Sequence, residues 1–162
     1  MGAEDSRRLI RVTLVDESGV RRSPEIEHER AVAIHDLEHE NSFELVSHPG
    51  GPYLLGIVVR ENRLVLDVRD ADDRPLEEIL LPLGPLRSII RDYFRVCDAY
   101  YEAIKTASPS RIEAIDMGRR GLHDEGAERL RDRIASRIRI DEGTARRLFT
   151  LIFILHSSEV RG

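Results

Sequence analysis

The chain has 162 residues, 41% of them apolar and 34% charged, with 25 basic and 30 acidic side chains for a formal net charge of −5. That length reads as one domain, residues 1–162, able to bury a core without disulfides or metal, and the apolar content is too high for a disordered chain. A membrane-spanning helix is excluded, since it needs about 18 or more apolar residues in a row and the longest apolar stretch, Leu148 to Leu155, is short and contains Thr150.

At the start, Glu4 and Asp5 stand where a secretory signal would be basic, and no apolar run follows Arg7 and Arg8. No signal peptide is therefore expected. Ile10, Val12 and Leu14 alternate with Arg11 and Thr13, the period of a strand. Ser23-Pro24 places a capping residue before a proline, and the same device recurs at Gly84-Pro85 and Ser108-Pro109. Proline at the first helical position loses no hydrogen bond, so the three sites predict helices over 24–40, 85–107 and 109–117.

Within 24–40, His35-Asp36-Leu37-Glu38-His39 fits the H-x-x-E-H pattern in which two histidines four apart share a zinc ion. The helical wheel puts His35, His39 and also His28 opposite Ile34 and Leu37, on a face that reads as solvated. A metal at His35 and His39 is thus only an alternative reading, and no metal and no cofactor is expected. Phe43 to Val46 suggests a short strand, ended by His48-Pro49-Gly50-Gly51-Pro52. Tyr53 to Arg60 and Arg63 to Arg69 are β-rich runs separated by Glu61-Asn62, a hairpin signal, and Leu76 to Leu83 adds a third strand.

From Pro85 to Ala107, Leu86, Ile89, Ile90, Tyr93, Phe94, Cys97, Tyr100, Tyr101 and Ile104 recur at three- and four-residue steps, covering about 140° of arc. This stripe is expected to be buried, its tyrosines as core aromatics and Cys97 as an inert core thiol. Cys97 is the only cysteine, which allows no intramolecular disulfide framework and no cysteine-based zinc knuckle. The chain reads as a cytoplasmic protein. Gly118 and Gly121 punctuate the sequence, and another helix is expected over about 122–136. Ile138 and Ile140 suggest a short strand, and Asp141 can cap a last helix through His156. That helix is apolar nearly all round, from Leu148 through Leu155, so it is either central or shared with a partner chain.

Arg91-Asp92-Tyr93-Phe94, Tyr100-Tyr101-Glu102-Ala103-Ile104 and Ile112 through His123 (Ile-Glu-Ala-Ile-Asp-Met-Gly-Arg-Arg-Gly-Leu-His) resemble an uncharacterised bacterial protein family of about 160 residues. So do Glu27 through Ile34 and Thr144 through Phe149. The resemblance spans about residues 9 to 156. It implies no activity, cofactor or catalytic residue.

The charge is unevenly placed. Residues 1–82 hold 10 basic and 18 acidic side chains; residues 83–162 hold 15 and 12. All the basic residues but Lys105 are arginine, which codon bias in a GC-rich genome explains without function. Arg87, Arg91 and Arg95 make a row that Asp98 and Glu102 continue, a mixed surface that, with the net acidity, argues against nucleic-acid binding. The segment Asp116 to Glu125 is the best ligand-site candidate. Gly118 and Gly121 bracket Arg119 and Arg120 before an expected helix start, a setting for anion binding, with His123 and Asp116 as acid–base candidates. Asp124 and Glu125, in the first turn of that helix, would oppose an anion. It is not a P-loop: the Lys-Ser/Thr ending and the preceding strand are missing.

The fold class is α+β: a small, mostly antiparallel sheet from 1–83, which also holds one helix, packed against the mainly helical 84–162. The leading functional reading is a non-enzymatic binding or regulatory protein, homodimeric through its apolar C-terminal helix. The alternative is an enzyme or sensor for a small phosphorylated or carboxylated ligand held at Asp116–Glu125.

Overall fold

The computed structural model describes residues 6–17, 23–60, 63–81 and 83–161, without the side chains of 157–161. Glu4, Asp5 and the Glu61-Asn62 turn lie outside the described residues. The fold is α+β. In chain order it comprises β1 (Leu9–Asp16), α1 (Pro24–His39), β2 (Phe43–Leu45), β3 (Tyr53–Arg60), β4 (Arg63–Asp70) and β5 (Pro75–Leu81). A 3-10 turn, Gly84–Leu86, leads into α2 (Arg87–Thr106), α3 (Pro109–Ile134), β6 (Ile138–Ile140) and α4 (Glu142–Arg161).

The main sheet has the order β1-β3-β4-β5. β3, β4 and β5 form antiparallel pairs, while β1 joins β3 in parallel, the chain crossing between them through α1. One face carries Val12, Leu55, Ile57, Leu66, Val68 and Ile79, all buried. β1 departs from simple alternation. Its register shifts between Leu9 and Arg11, so Leu9 is buried and Ile10, expected on the inner face, is exposed. An extra residue in a strand reverses the parity of what precedes it.

The serine caps form as expected: Ile26 N donates to Ser23 Oγ at 3.2 Å and Arg111 N to Ser108 Oγ at 3.3 Å. Gly84 has no side chain to cap with and opens the 3-10 turn instead. β2 and β6 pair antiparallel, Phe43 opposite Ile140. Asp141 caps α4 by accepting from Thr144 N at 2.8 Å. The ion pair between buried Arg30 and half-buried Asp16, 3.2 Å, ties α1 to β1.

Three helical expectations need correction. First, α3 is one helix from Pro109 to Ile134; it neither ends at 117 nor restarts at 122. Two helical glycines cost about 1 kcal/mol each relative to alanine. Burying Leu130 and Ile134 returns about 1.5–3 kcal/mol per side chain, which outweighs that cost. Second, the α2 stripe is buried only in its first half, at Ile89, Ile90 and Tyr93; Tyr101 and Ile104 stand exposed. α2 packs mainly on α3, and part of its apolar arc is left uncovered at Tyr101 and Ile104.

Third, α4 runs five residues past His156 to Arg161, so His156 is not a terminal residue. Leu148, Phe149, Leu151, Ile152 and Leu155 are buried within the chain, with Phe153 and Ile154 packed against the same core. α1, α2 and α3 supply the cover. The apolar surface on which a dimer through α4 was expected is therefore taken up internally. No described helix is long and apolar enough to cross a membrane.

Candidate functional site

The continuity of α3 changes the candidate segment. The amides of residues 118–122 lie inside a helix rather than at its start, so they are not free to cradle an anion and no helix dipole ends there. Gly118 and Gly121 are exposed, and a Cβ added to either would meet nothing within 4 Å. They form no loop and touch no site.

One turn of this helix does gather charge. Asp116 Oδ1 accepts from Arg119 Nε at 3.0 Å and Nη2 at 2.6 Å, and Oδ2 pairs with Arg120 Nη2 at 2.8 Å. The Arg119 hydrogen bonds, aided by both arginine charges, hold the Asp116 carboxyl below its ordinary value. A carboxylate stabilised in this way is a poor base. The two arginines then diverge: the Arg120 side chain is 73% exposed, that of Arg119 32%.

Arg119 turns into a cleft of about 440 Å³ between the helices. α2 lines it with Tyr93, Cys97, Tyr100 and Tyr101, α4 with Thr150, Phe153 and Ile154, and α1 with Glu29. The guanidinium lies over the Tyr100 ring, 5.1 Å from its centroid, a cation–π contact, with Tyr93 in the same lining. Burial, with Cys97 adding to it, pushes the Tyr93 hydroxyl up to about 12. That phenol stays protonated at neutral pH.

His123 is absent from the cleft lining and stands directly behind it. Its Nε2 lies 2.7 Å from Thr150 Oγ1, which donates its one proton to Arg146 O at 3.1 Å. Thr150 must then accept from His123, so Nε2 carries the proton. The ring meets Tyr93 and Phe149 edge-on at 5.4 and 5.2 Å. Burial holds the imidazole below its ordinary 6.5, Arg119 and Arg146 adding to the effect and Asp124 opposing it. His123 thus acts as a neutral spacer that positions Thr150.

His35 and His39 stack at 6.0 Å on the exposed side of α1. No group of three or more metal-ligating side chains occurs among the described residues.

Of the sequence candidates, the structure brings Arg119 to the cleft, Asp116 and His123 behind it, and leaves Gly118, Arg120 and Gly121 outside. The tyrosines and Cys97 were read as core. Glu29, Thr150, Phe153 and Ile154 were not singled out for a site. Two signals were present: three tyrosines are many for a dry stripe, and Thr150 breaks an otherwise apolar run.

A family model described as "Uncharacterised protein family (UPF0262)" matches residues 6–158. A UPF0262 protein of Nitrobacter hamburgensis is 53% identical over 154 residues, 94% of each chain. One from Rhodopseudomonas palustris strain BisB18 is 54% identical over 154 residues, again 94% of each. One from Bradyrhizobium diazoefficiens is 51% identical over 94% of this chain and 93% of its own. No solved structure matches. With a match of this extent, the chain belongs to the uncharacterised protein family UPF0262.

Proposed function

We propose that this is a single-domain, cytoplasmic, non-enzymatic binding protein for a small molecule with a planar body and one anionic group. The body lies among Tyr93, Tyr100 and Phe153, and the anion meets Arg119. The observation that carries the reading is the Arg119 guanidinium, fixed by Asp116 and stacked on Tyr100 at the wall of the cleft. An orientation fixed in advance lowers the entropy lost on binding. Among the described lining residues Arg119 is the basic side chain and Glu29 the acidic one, which suits a ligand with a single carboxylate or phosphate held at Arg119.

Binding is favoured over catalysis by the state of the neighbouring groups. Asp116 is a weakened base, Tyr93 keeps its proton, and His123 is neutral and engaged with Thr150. None of them is poised to exchange a proton at neutral pH.

A thermal-shift screen of benzoate, 4-hydroxybenzoate, phenyl phosphate and inorganic phosphate tests this. The aromatic anions are expected to raise the melting temperature of the native chain and of Arg120→Ala, and not of Arg119→Ala. Equal shifts in both variants, or a shift with inorganic phosphate alone, would contradict the assignment.

A further inference from the structure

The helical cleft is lined by two opposite charges, and they differ in how the chain uses them. Arg119 is held by Asp116 on its own helix at 2.6 Å. Glu29, on α1, lines the same cleft. Its neighbours Glu27 and Asp16 both pair with Arg30, whereas the Glu29 carboxylate enters no hydrogen bond or ion pair among the described residues. α4 stands between the two charges. Its Thr150 meets His123 of α3 at 2.7 Å, and its Arg147 pairs with Glu40, the residue that ends α1, at 3.0 Å. α1 and α3 therefore flank α4, and each such packing step sets helix axes about 8–10 Å apart. Phe153 and Ile154 of α4 form the apolar floor between the charges. A cleft of about 440 Å³ with this floor has room for a ring.

We infer that the ligand is a zwitterion: a planar body with its anionic group at Arg119 and an ammonium group, at the far end, on the Glu29 carboxylate. The inference rests on the reading of the cleft as the site of an aromatic anion. A ligand with an anion alone faces an unengaged carboxylate across the cleft, and like charges set against each other cost affinity. An ammonium at the other end of the ligand turns that repulsion into an ion pair, and the tyrosine rings of the lining attract a cation through their faces. The separation of the charges selects among zwitterions. An α-amino acid head carries both charges on one carbon and satisfies one wall or the other. An aryl or arylalkyl amine with a carboxylate or phosphate across the ring satisfies both.

Titration calorimetry at neutral pH and low salt compares 4-(aminomethyl)benzoate with 4-ethylbenzoate, which has the same shape with a methyl group in place of the ammonium. Glu29 is exposed, so its ion pair is screened by solvent. The preference for the zwitterion is therefore expected to be about threefold to fivefold greater in the native chain than in Glu29→Gln. Glu29→Gln is expected to keep the native melting temperature, because the Glu29 carboxylate holds nothing in the free chain, and to bind 4-ethylbenzoate at least as well as the native chain does. In Arg119→Ala both compounds are expected to weaken together. An equal preference in the native chain and Glu29→Gln would overturn the inference. If both compounds still weakened in Arg119→Ala, the anion site would stand and only the zwitterion would be excluded. Binding of neither compound to the native chain would overturn both.

Discussion

Gly126 of α3 lies so close to the Phe149 ring of α4 that a Cβ on Gly126 would overlap it, falling 2.8 Å from Cε2 and closer still to other ring atoms. Phe149 is fully buried and meets Tyr93 and His123 edge-on. It has nowhere to retreat without disturbing the wall of the cleft. Gly126→Ala is therefore expected to destabilise the protein by about 1–3 kcal/mol net, despite alanine's better helix propensity, because overpacking of a dense core wins. Urea denaturation measures this.

The same substitution has the opposite sign earlier in the same helix. Gly118→Ala and Gly121→Ala meet open space and are each expected to stabilise by up to about 1 kcal/mol. A loss of stability at either position would mean that the continuous helix is wrong there.

Asn41 binds the Leu9 backbone in both directions, Oδ1 accepting from Leu9 N at 2.7 Å and Nδ2 donating to Leu9 O at 3.1 Å. Nδ2 also donates to Leu37 O at 2.8 Å, so one side chain joins the end of α1 to the start of β1. Leu9 is buried. Asn41→Ala strands its amide and carbonyl, and a loss of about 2–4 kcal/mol is expected, a fall in melting temperature of about 5–15 °C for a chain of this size.

His123 makes stability depend on pH. Its folded value lies below the unfolded 6.5, mainly through burial, so the unfolded state binds the proton more readily. Stability is then lost as pH falls below about 6.5, until the folded imidazole titrates as well, and is constant above that window. His156, also depressed by burial, acts in the same direction. Melting temperatures between about pH 8 and pH 5 are expected to fall on the acid side, less steeply in His123→Gln. An NMR titration placing His123 above 6.5 would refute the burial argument.

Much of the fold was legible because its signals are local. Ser23-Pro24 and Ser108-Pro109 cap helices, and two β-rich runs two residues apart become β3 and β4. The all-round apolar α4 was readable as central or shared, and its burial within the chain makes it central. α3 was not legible as one helix, because Gly118 and Gly121 are weak sites by propensity and the compensation lies downstream at Leu130 and Ile134. The cleft was only half visible for a similar reason. Arg119 stood out in sequence, but its partners Tyr93, Tyr100 and Thr150 reach it only through the packing of α2 and α4 on α3. The expected helix start at 122 drew attention to Arg120, Gly118 and Gly121, which the continuous helix turns outward.

Isothermal titration of 4-hydroxybenzoate and phenyl phosphate into the native chain and Arg119→Ala tests the central claim most directly. Loss of a charge-assisted contact at the cleft wall is expected to weaken binding by about tenfold or more, with Arg120→Ala within about twofold of the native chain. Equal affinity in the native chain and Arg119→Ala would contradict it.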